Sequence, residues 1–164
     1  MINIREAKVE DLKGITEIYN EAVLNTTATF DTEAKTIENR KDWLLNRDAR
    51  FKVFVAESNN EIVGFASLNR WSERKAYDIT AEISVYIHSA HRGRGIGGNM
   101  IDVIMQAAQE EKFRSVIARI SAGNDKSVYL HKMAGFEVVG VLKECGKKFD
   151  QLIDVTIMQK MIPQ

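Results

Sequence analysis

Four glycines and two arginines fall within the seven residues from Arg92 to Gly98, which read R-G-R-G-I-G-G. They follow a long run rich in β-branched residues, Ile79 to His88. They open a helical pattern from Ile96 to about Glu111, with Ile96, Met100, Ile101, Ile104, Ala107 and Ala108 on one side. Glycines in such a place let backbone N–H groups approach an anion, and the helix adds unpaired donors and the positive end of its dipole. Arg92 and Arg94 add charge at the same spot. Gly93, Gly95 and Gly98 also spell G-x-G-x-x-G, a pattern that a plain strand–turn–helix can carry too. A dinucleotide unit fits poorly, because only roughly 70 residues follow the loop and no Asp or Glu ends the next strand, Ser115 to Ser121. A Walker loop is excluded, since no Gly-Lys-Ser/Thr follows. What remains is a loop for one pyrophosphate-sized anion behind a long central strand.

The rest of the 164-residue chain reads as a single domain, 1–164, without repeats or linkers. Basic and acidic residues balance at 23 each, so nothing in the charge favours nucleic acid. No apolar run approaches the roughly 18 residues of a membrane span, and the N-terminus lacks a signal-peptide pattern. One cysteine, Cys145, permits no internal disulfide and makes the cytoplasm the default compartment; an inert thiol is the expected role. Residues 2–5 suggest a strand. Asp11 is expected to cap a helix with Leu12, Ile15, Ile18, Tyr19, Ala22 and Val23 on its apolar face, and Thr36 a second helix through Leu45. Phe51–Glu57 and Ile62–Leu68 read as a hairpin about Ser58–Asn60, with a charged irregular stretch over 69–77. Asn124 or Asp125 opens a short helix that ends at Gly135, and Phe136–Leu142 and Leu152–Met161 are the last strands. Helices, then a hairpin, then strand–loop–helix–strand argue an α+β fold around one sheet.

Arg92 to Gly97 resembles the Q/R-x-x-G-x-G/A motif of the GNAT superfamily of N-acetyltransferases. Asn124, Ser127, Leu130 and Gly135–Phe136 match its second cofactor segment, N-x-x-S-x-x-L-x-x-x-x-G-F. Ala76–Tyr77, Thr80–Glu82, Ser84–Tyr86, Leu130–His131, Tyr19–Val23 and Thr27–Asp31 are similar to the phosphinothricin, methionine sulfoximine and methionine sulfone acetyltransferase group. The resemblance implies a mixed sheet of six or seven strands, helices on both faces, and two central parallel strands that splay around the pantetheine arm of acetyl-CoA. It implies that the backbone of Val85, Tyr86 and Ile87 holds that arm and that Arg92, Gly93, Arg94, Gly95, Ile96, Gly97 and Gly98 hold the pyrophosphate. Asn124 would touch the cofactor from the other side. No metal is implied, and relatives of this group are commonly homodimers.

Acetyl transfer to an amine needs a base, because an α-amine is mostly protonated at neutral pH. Glu82 falls on the family's catalytic glutamate. It sits in the apolar run I-T-A-E-I-S-V-Y-I, where partial burial is expected to raise its pKa and suit it to that work. Where many relatives carry a tyrosine, His131 stands in L-H-K-M-A-G-F and is the expected proton donor to the leaving thiolate; Tyr129 is a weaker choice. A backbone N–H near Val85 is expected to meet the oxyanion. For the acceptor, the resemblance points to Ser72, Glu73 and Arg74 before the long strand, to Ile83 and Ser84 within it, and to Phe30 as an apolar wall. Arg74 or Lys75 would pair with a carboxylate. One departure stands out: G-x-K-x-G-x-W-x-D of relatives keeps Gly146, Lys148 and Asp154 here, but Asp150 and Leu152 replace the glycine and tryptophan. The resulting expectation is an acetyl-CoA-dependent enzyme that acetylates the α-amine of a small amino-acid analogue. A peptide or polyamine acetyltransferase and a non-catalytic acetyl-CoA sensor stay open beside it.

Overall fold

In the computed structural model, which describes residues 1–164, the extended runs form seven strands. These are β1 (Asn3–Glu6), β2 (Val53–Ser58), β3 (Glu61–Arg70), β4 (Thr80–Ile87), β5 (Ser115–Ser121), β6 (Glu137–Lys148) and β7 (Gln151–Met161). They join one sheet in the order β1-β2-β3-β4-β5-β7-β6. Four helices accompany it: α1 (Leu12–Asn25), α2 (Ile37–Leu45), α3 (Ile96–Glu110) and α4 (Asp125–Met133). The mixed α+β architecture is the expected one.

Local chemistry explains most boundaries. The Thr36 hydroxyl accepts from the Asn39 N–H at 3.0 Å and caps α2. The Asn124 side chain accepts from the Ser127 N–H at 3.4 Å and opens α4. Asn59 and Asn60 turn the β2–β3 hairpin with φ of 49° and 63°, a left-handed pair that asparagine tolerates well. Asp11 departs from expectation. Its carboxylate does not cap α1; it accepts from the Lys8 N–H at 2.7 Å and from the Arg5 guanidinium at 2.8 and 2.9 Å, closing the 3₁₀ turn before the helix. β6 also runs on to Lys148, past the expected end at Leu142, by pairing with β7 through two register shifts.

The apolar stripes sort the helices onto two faces. Ile15, Ile18, Tyr19 and Val23 of α1 pack on Val55 and Phe65, joined by Trp43 of α2 and by Tyr86. On the other face Ile96, Met100, Ile101 and Ile104 of α3 pack on Ala66, Leu68, Ala81 and Ile83, with Val128 and Leu130 of α4 alongside. Each fully buried aliphatic side chain of this kind contributes about 2 kcal/mol. No helix is long and apolar enough to cross a membrane.

The site is made by one irregularity of the sheet. β4 and β5, its only parallel neighbours, pair over Thr80–Glu82 and Ser115–Ile117 alone. Beyond Glu82, β4 follows β3 to Ile87, while β5 follows β7 to Ser121. The two strands therefore part, and a cleft opens between them.

Candidate active site

Two cavities flank the cleft, one of about 680 Å³ and one of about 440 Å³. Val85, Tyr86, Asn124, Ser127 and His131 line both, so the two meet where the strands part.

The larger cavity runs to the glycine loop. Arg92, Gly93, Gly95, Ile96, Gly97 and Gly98 form its wall with Ile87. Gly93 and Gly95 hold φ of 77° and 78°, and nothing lies within 4 Å of where a Cβ would stand, which leaves a bare peptide cradle before α3. Glu21 of α1 holds the approach to this cradle by accepting from the Ser89 N–H at 2.9 Å and from its hydroxyl at 2.8 Å. Burial alone would raise the Glu21 pKa; the Ser89 hydrogen bonds and the nearby His88 and Arg92 outweigh it and hold the carboxyl below its ordinary value. Arg92 donates from Nε to the Ile87 carbonyl at 3.2 Å and keeps its terminal nitrogen 3.6 Å from Glu21. Arg94 stands exposed, outside the wall. The wall includes instead two residues that the sequence reading missed, His91 and Lys126. Lys126 lies in the first turn of a helix whose cap was legible, and that was the available signal. The buried His91 Nδ1 has no hydrogen-bond partner in the protein.

The backbone of β4 completes the cleft. The His88 N–H donates to the Val63 carbonyl across the β3–β4 ladder. By antiparallel alternation, Tyr86 turns its peptide groups to β3 as well, while Ile83, Val85 and Ile87 turn theirs to the cleft. The Ile87 carbonyl is taken by Arg92, which leaves the Val85 N–H and C=O and the Ile87 N–H for a peptide-like ligand. The peptide groups of Tyr86, expected to hold the arm, are thus engaged with β3 instead. These groups fit the pyrophosphate and pantetheine portions of acetyl-CoA.

The smaller cavity is lined by Thr27–Phe30, Glu82–Tyr86, Arg119 and Cys145, among others. In the sequence Glu82 stands as a carboxylate among apolar neighbours. In the structure it is held at two points by Arg119 of β5: Nε donates to one carboxylate oxygen, and a terminal nitrogen to the other at 2.8 Å. Behind the wall, Asn69 of β3 donates to the Ser84 hydroxyl at 3.1 Å. Phe30 lies flat against Gly146, where any side chain would strike its ring. The loop that carries Phe30 is tied down by Lys148, whose buried ammonium donates to the Thr29 carbonyl at 2.8 Å. Asp154, the third residue kept from the relatives' motif, accepts from the Glu144 N–H at 2.7 Å and shapes the β6 bulge. Leu152 is exposed where relatives carry tryptophan.

His131 is 5% exposed, and its Nδ1 lies 2.7 Å from the Ser127 carbonyl. That acceptor puts the ring proton on Nδ1 and leaves Nε2 without a protein partner. Burial lowers the His131 pKa, against the smaller effect of the Ser127 hydrogen bond. The neutral ring thus carries no proton on Nε2 and must receive one before it can donate. Tyr129 is exposed and lines neither cavity. Ile83 and Ser84 are in the wall of the smaller cavity, whereas Ser72, Glu73 and Arg74 form an outer turn that does not reach it.

A sheet split between two parallel strands, with a peptide cradle at one end of the split, a carboxylate at the other and an imidazole where the two cavities meet, fits a transferase that draws its acyl group from a coenzyme A thioester. The chain belongs to the GNAT family of acetyltransferases: the family model for the acetyltransferase (GNAT) domain matches residues 4–157. An L-methionine sulfoximine/L-methionine sulfone acetyltransferase of Pseudomonas aeruginosa is 35% identical over 159 residues, 96% of this chain and 92% of that one. The crystal structure of a ribosomal-protein-alanine N-acetyltransferase from Brucella melitensis superposes with a TM-score of 0.95 at 40% identity, covering 98% of this chain and 99% of that one. An acetyltransferase from Salmonella typhimurium, solved with its cofactor acetyl-CoA, gives 0.97 at 33% identity over 100% of this chain and 95% of that one. The protein is an N-acetyltransferase that uses acetyl-CoA.

Proposed function

We propose that the enzyme acetylates the α-amine of a small amino-acid analogue of the methionine sulfone, methionine sulfoximine or phosphinothricin type. The observation that carries this reading is the cavity of about 440 Å³, which suits an amino acid in size and has Glu82 in its wall. The Pseudomonas relative, named for such acceptors, supports it.

Bound acetyl-CoA supplies the acetyl group as a thioester. The Gly93–Gly98 cradle anchors its pyrophosphate, and the free peptide groups of Val85 and Ile87 align the arm along β4. The Val85 N–H meets the carbonyl oxygen as negative charge develops on it. Glu82 takes the proton that an α-ammonium must lose. His131 takes on Nε2 the second proton, which the nitrogen sheds once it has attacked the thioester carbon, and passes it to the sulfur as the C–S bond breaks, which revises the simple donor role expected from its sequence position.

A peptide N-terminus as acceptor is the second reading, favoured by the name of the Brucella structure. We also infer a homodimer, because Val139 and Val141 of β6 and Leu152 of β7 are exposed apolar side chains on the outer hairpin; sedimentation at micromolar concentration tests this. Thiol release measured with methionine sulfone, methionine sulfoximine, phosphinothricin, an alanyl peptide and spermidine separates the readings. Turnover confined to the peptide would refute the amino-acid acceptor. Tight acetyl-CoA binding with no turnover of any amine would leave only a sensor.

A further inference from the structure

We propose that Arg119 takes the α-carboxylate of the acceptor, and that acceptor binding exchanges the partners of the Glu82–Arg119 ion pair. This rests on the amino-acid reading above and adds to it the residue that would enforce it.

The wall of the smaller cavity contains one carboxylate, Glu82, and one arginine or lysine, Arg119. They touch each other. An α-amino acid carries its ammonium and its carboxylate on the same carbon. An anion and a cation side by side can meet both groups at once, and this cavity has one such pair.

The two members are held unequally. The Glu82 side chain is 13% exposed and that of Arg119 is 55% exposed. The guanidinium carbon lies 5.6 Å from the centre of the Trp71 ring, which supports the flat group from one side. The arginine can therefore turn its fork from Glu82 to an incoming carboxylate without losing that support, while Glu82 stays in place to take the ammonium. Each broken contact is replaced by one of the same kind, so the exchange leaves no buried charge unpaired. An amine without a carboxylate would break the pair and leave Arg119 without its anion. The arrangement thus selects against polyamines and amidated acceptors. Arg74, the cation that the sequence offered for this role, lies on the outer turn and is not in the wall.

The test compares methionine sulfone with its primary amide, as the ratio of their kcat/KM values. In Arg119→Gln the preference for the acid should fall about tenfold or more, because a charge-assisted two-point contact to carboxylate is lost. The loss should appear as a higher KM for the acid. Arg119→Lys, which keeps the charge and loses the fork, should give an intermediate ratio. Unaltered circular dichroism and acetyl-CoA affinity establish that each variant is folded. If both acceptors lose activity equally and the ratio stays at the wild-type value, Arg119 only positions Glu82 and the proposal is overturned. If the wild-type enzyme turns over neither compound but does acetylate a peptide, the amino-acid reading falls and takes this inference with it.

Discussion

The Nδ1 of His131 lies 2.7 Å from the carbonyl oxygen of Ser127, one helical turn back in α4. That contact decides which nitrogen is free for the proposed proton transfer. With Nδ1–H committed to the helix, Nε2 is left as a lone pair in the wall shared by the two cavities. Burial lowers the ring's pKa, so the neutral form persists to lower pH than in a free histidine. We expect kcat/KM for the acceptor to fall on the acid side through a limb below histidine's ordinary value of 6.5. His131→Asn should remove that limb as well as lowering the rate. A pH–rate profile of the two proteins decides it; an identical acid limb in both would remove His131 from the mechanism.

The same shift has a stability consequence. As pH falls below 6.5, the unfolded chain binds a proton at His131 that the folded chain refuses until its lower pKa is reached. The stability present above pH 6.5 is therefore lost as pH falls through that window. Wild-type Tm should drop between pH 7.5 and 5.5 by more than Tm of His131→Asn, as read by calorimetry in matched buffers. An equal drop would place the loss in other groups.

Glu82 is the proposed base, and Glu82→Gln keeps its shape without its charge. We expect kcat to fall about a hundredfold, in the ordinary range for loss of a general base, with acetyl-CoA affinity nearly intact. Steady-state kinetics with calorimetric titration of acetyl-CoA measure both. A wild-type kcat in Glu82→Gln would refute the role.

Gly95 stands at φ 78° with open space where a Cβ would be. Gly95→Ala should cost about 1 kcal/mol of stability through backbone strain. It should also raise KM for acetyl-CoA severalfold, because the added methyl enters the cradle. Gly140 of β6 likewise has nothing near its Cβ position but lies outside both cavities, so Gly140→Ala should leave that KM unchanged. Denaturant melts and acetyl-CoA saturation curves test the contrast.

Lys148 joins the β6–β7 hairpin to the loop that carries Phe30. Lys148→Met keeps most of the volume and removes the donor to Thr29. The loop should loosen, raising KM for the acceptor severalfold while KM for acetyl-CoA stays near wild type. An increase in both would mean that the hairpin supports the whole cleft rather than one wall.

What the sequence determined by itself was short-range. Thr36 and Asn124 mark helix starts because capping acts over three residues. Asn59–Asn60 mark a turn because left-handed backbone is a local preference. The stripes of α1 and α3 predict their buried faces because helical geometry repeats every few residues. The glycine loop announced an anion for the same reason: its chemistry lies in seven consecutive residues. Even locally a rival partner can win, as at Asp11, which Arg5 and Lys8 draw away from α1.

Tertiary structure alone decided the rest of the site. Glu82 meets Arg119, 37 residues downstream, only because β4 and β5 become neighbours in parallel register. The cleft exists because those strands then follow different partners, β3 and β7, and no pattern within either strand records that choice. Lys148 reaches Thr29 across 119 residues once the outer hairpin folds over the loop. The Ser72–Arg74 turn, plausible from its charge, lies in the connection between Arg70 of β3 and Thr80 of β4 and is not in the cavity wall. Which charge faces which depends on strand register, and register is settled by burying both faces of the whole sheet at once.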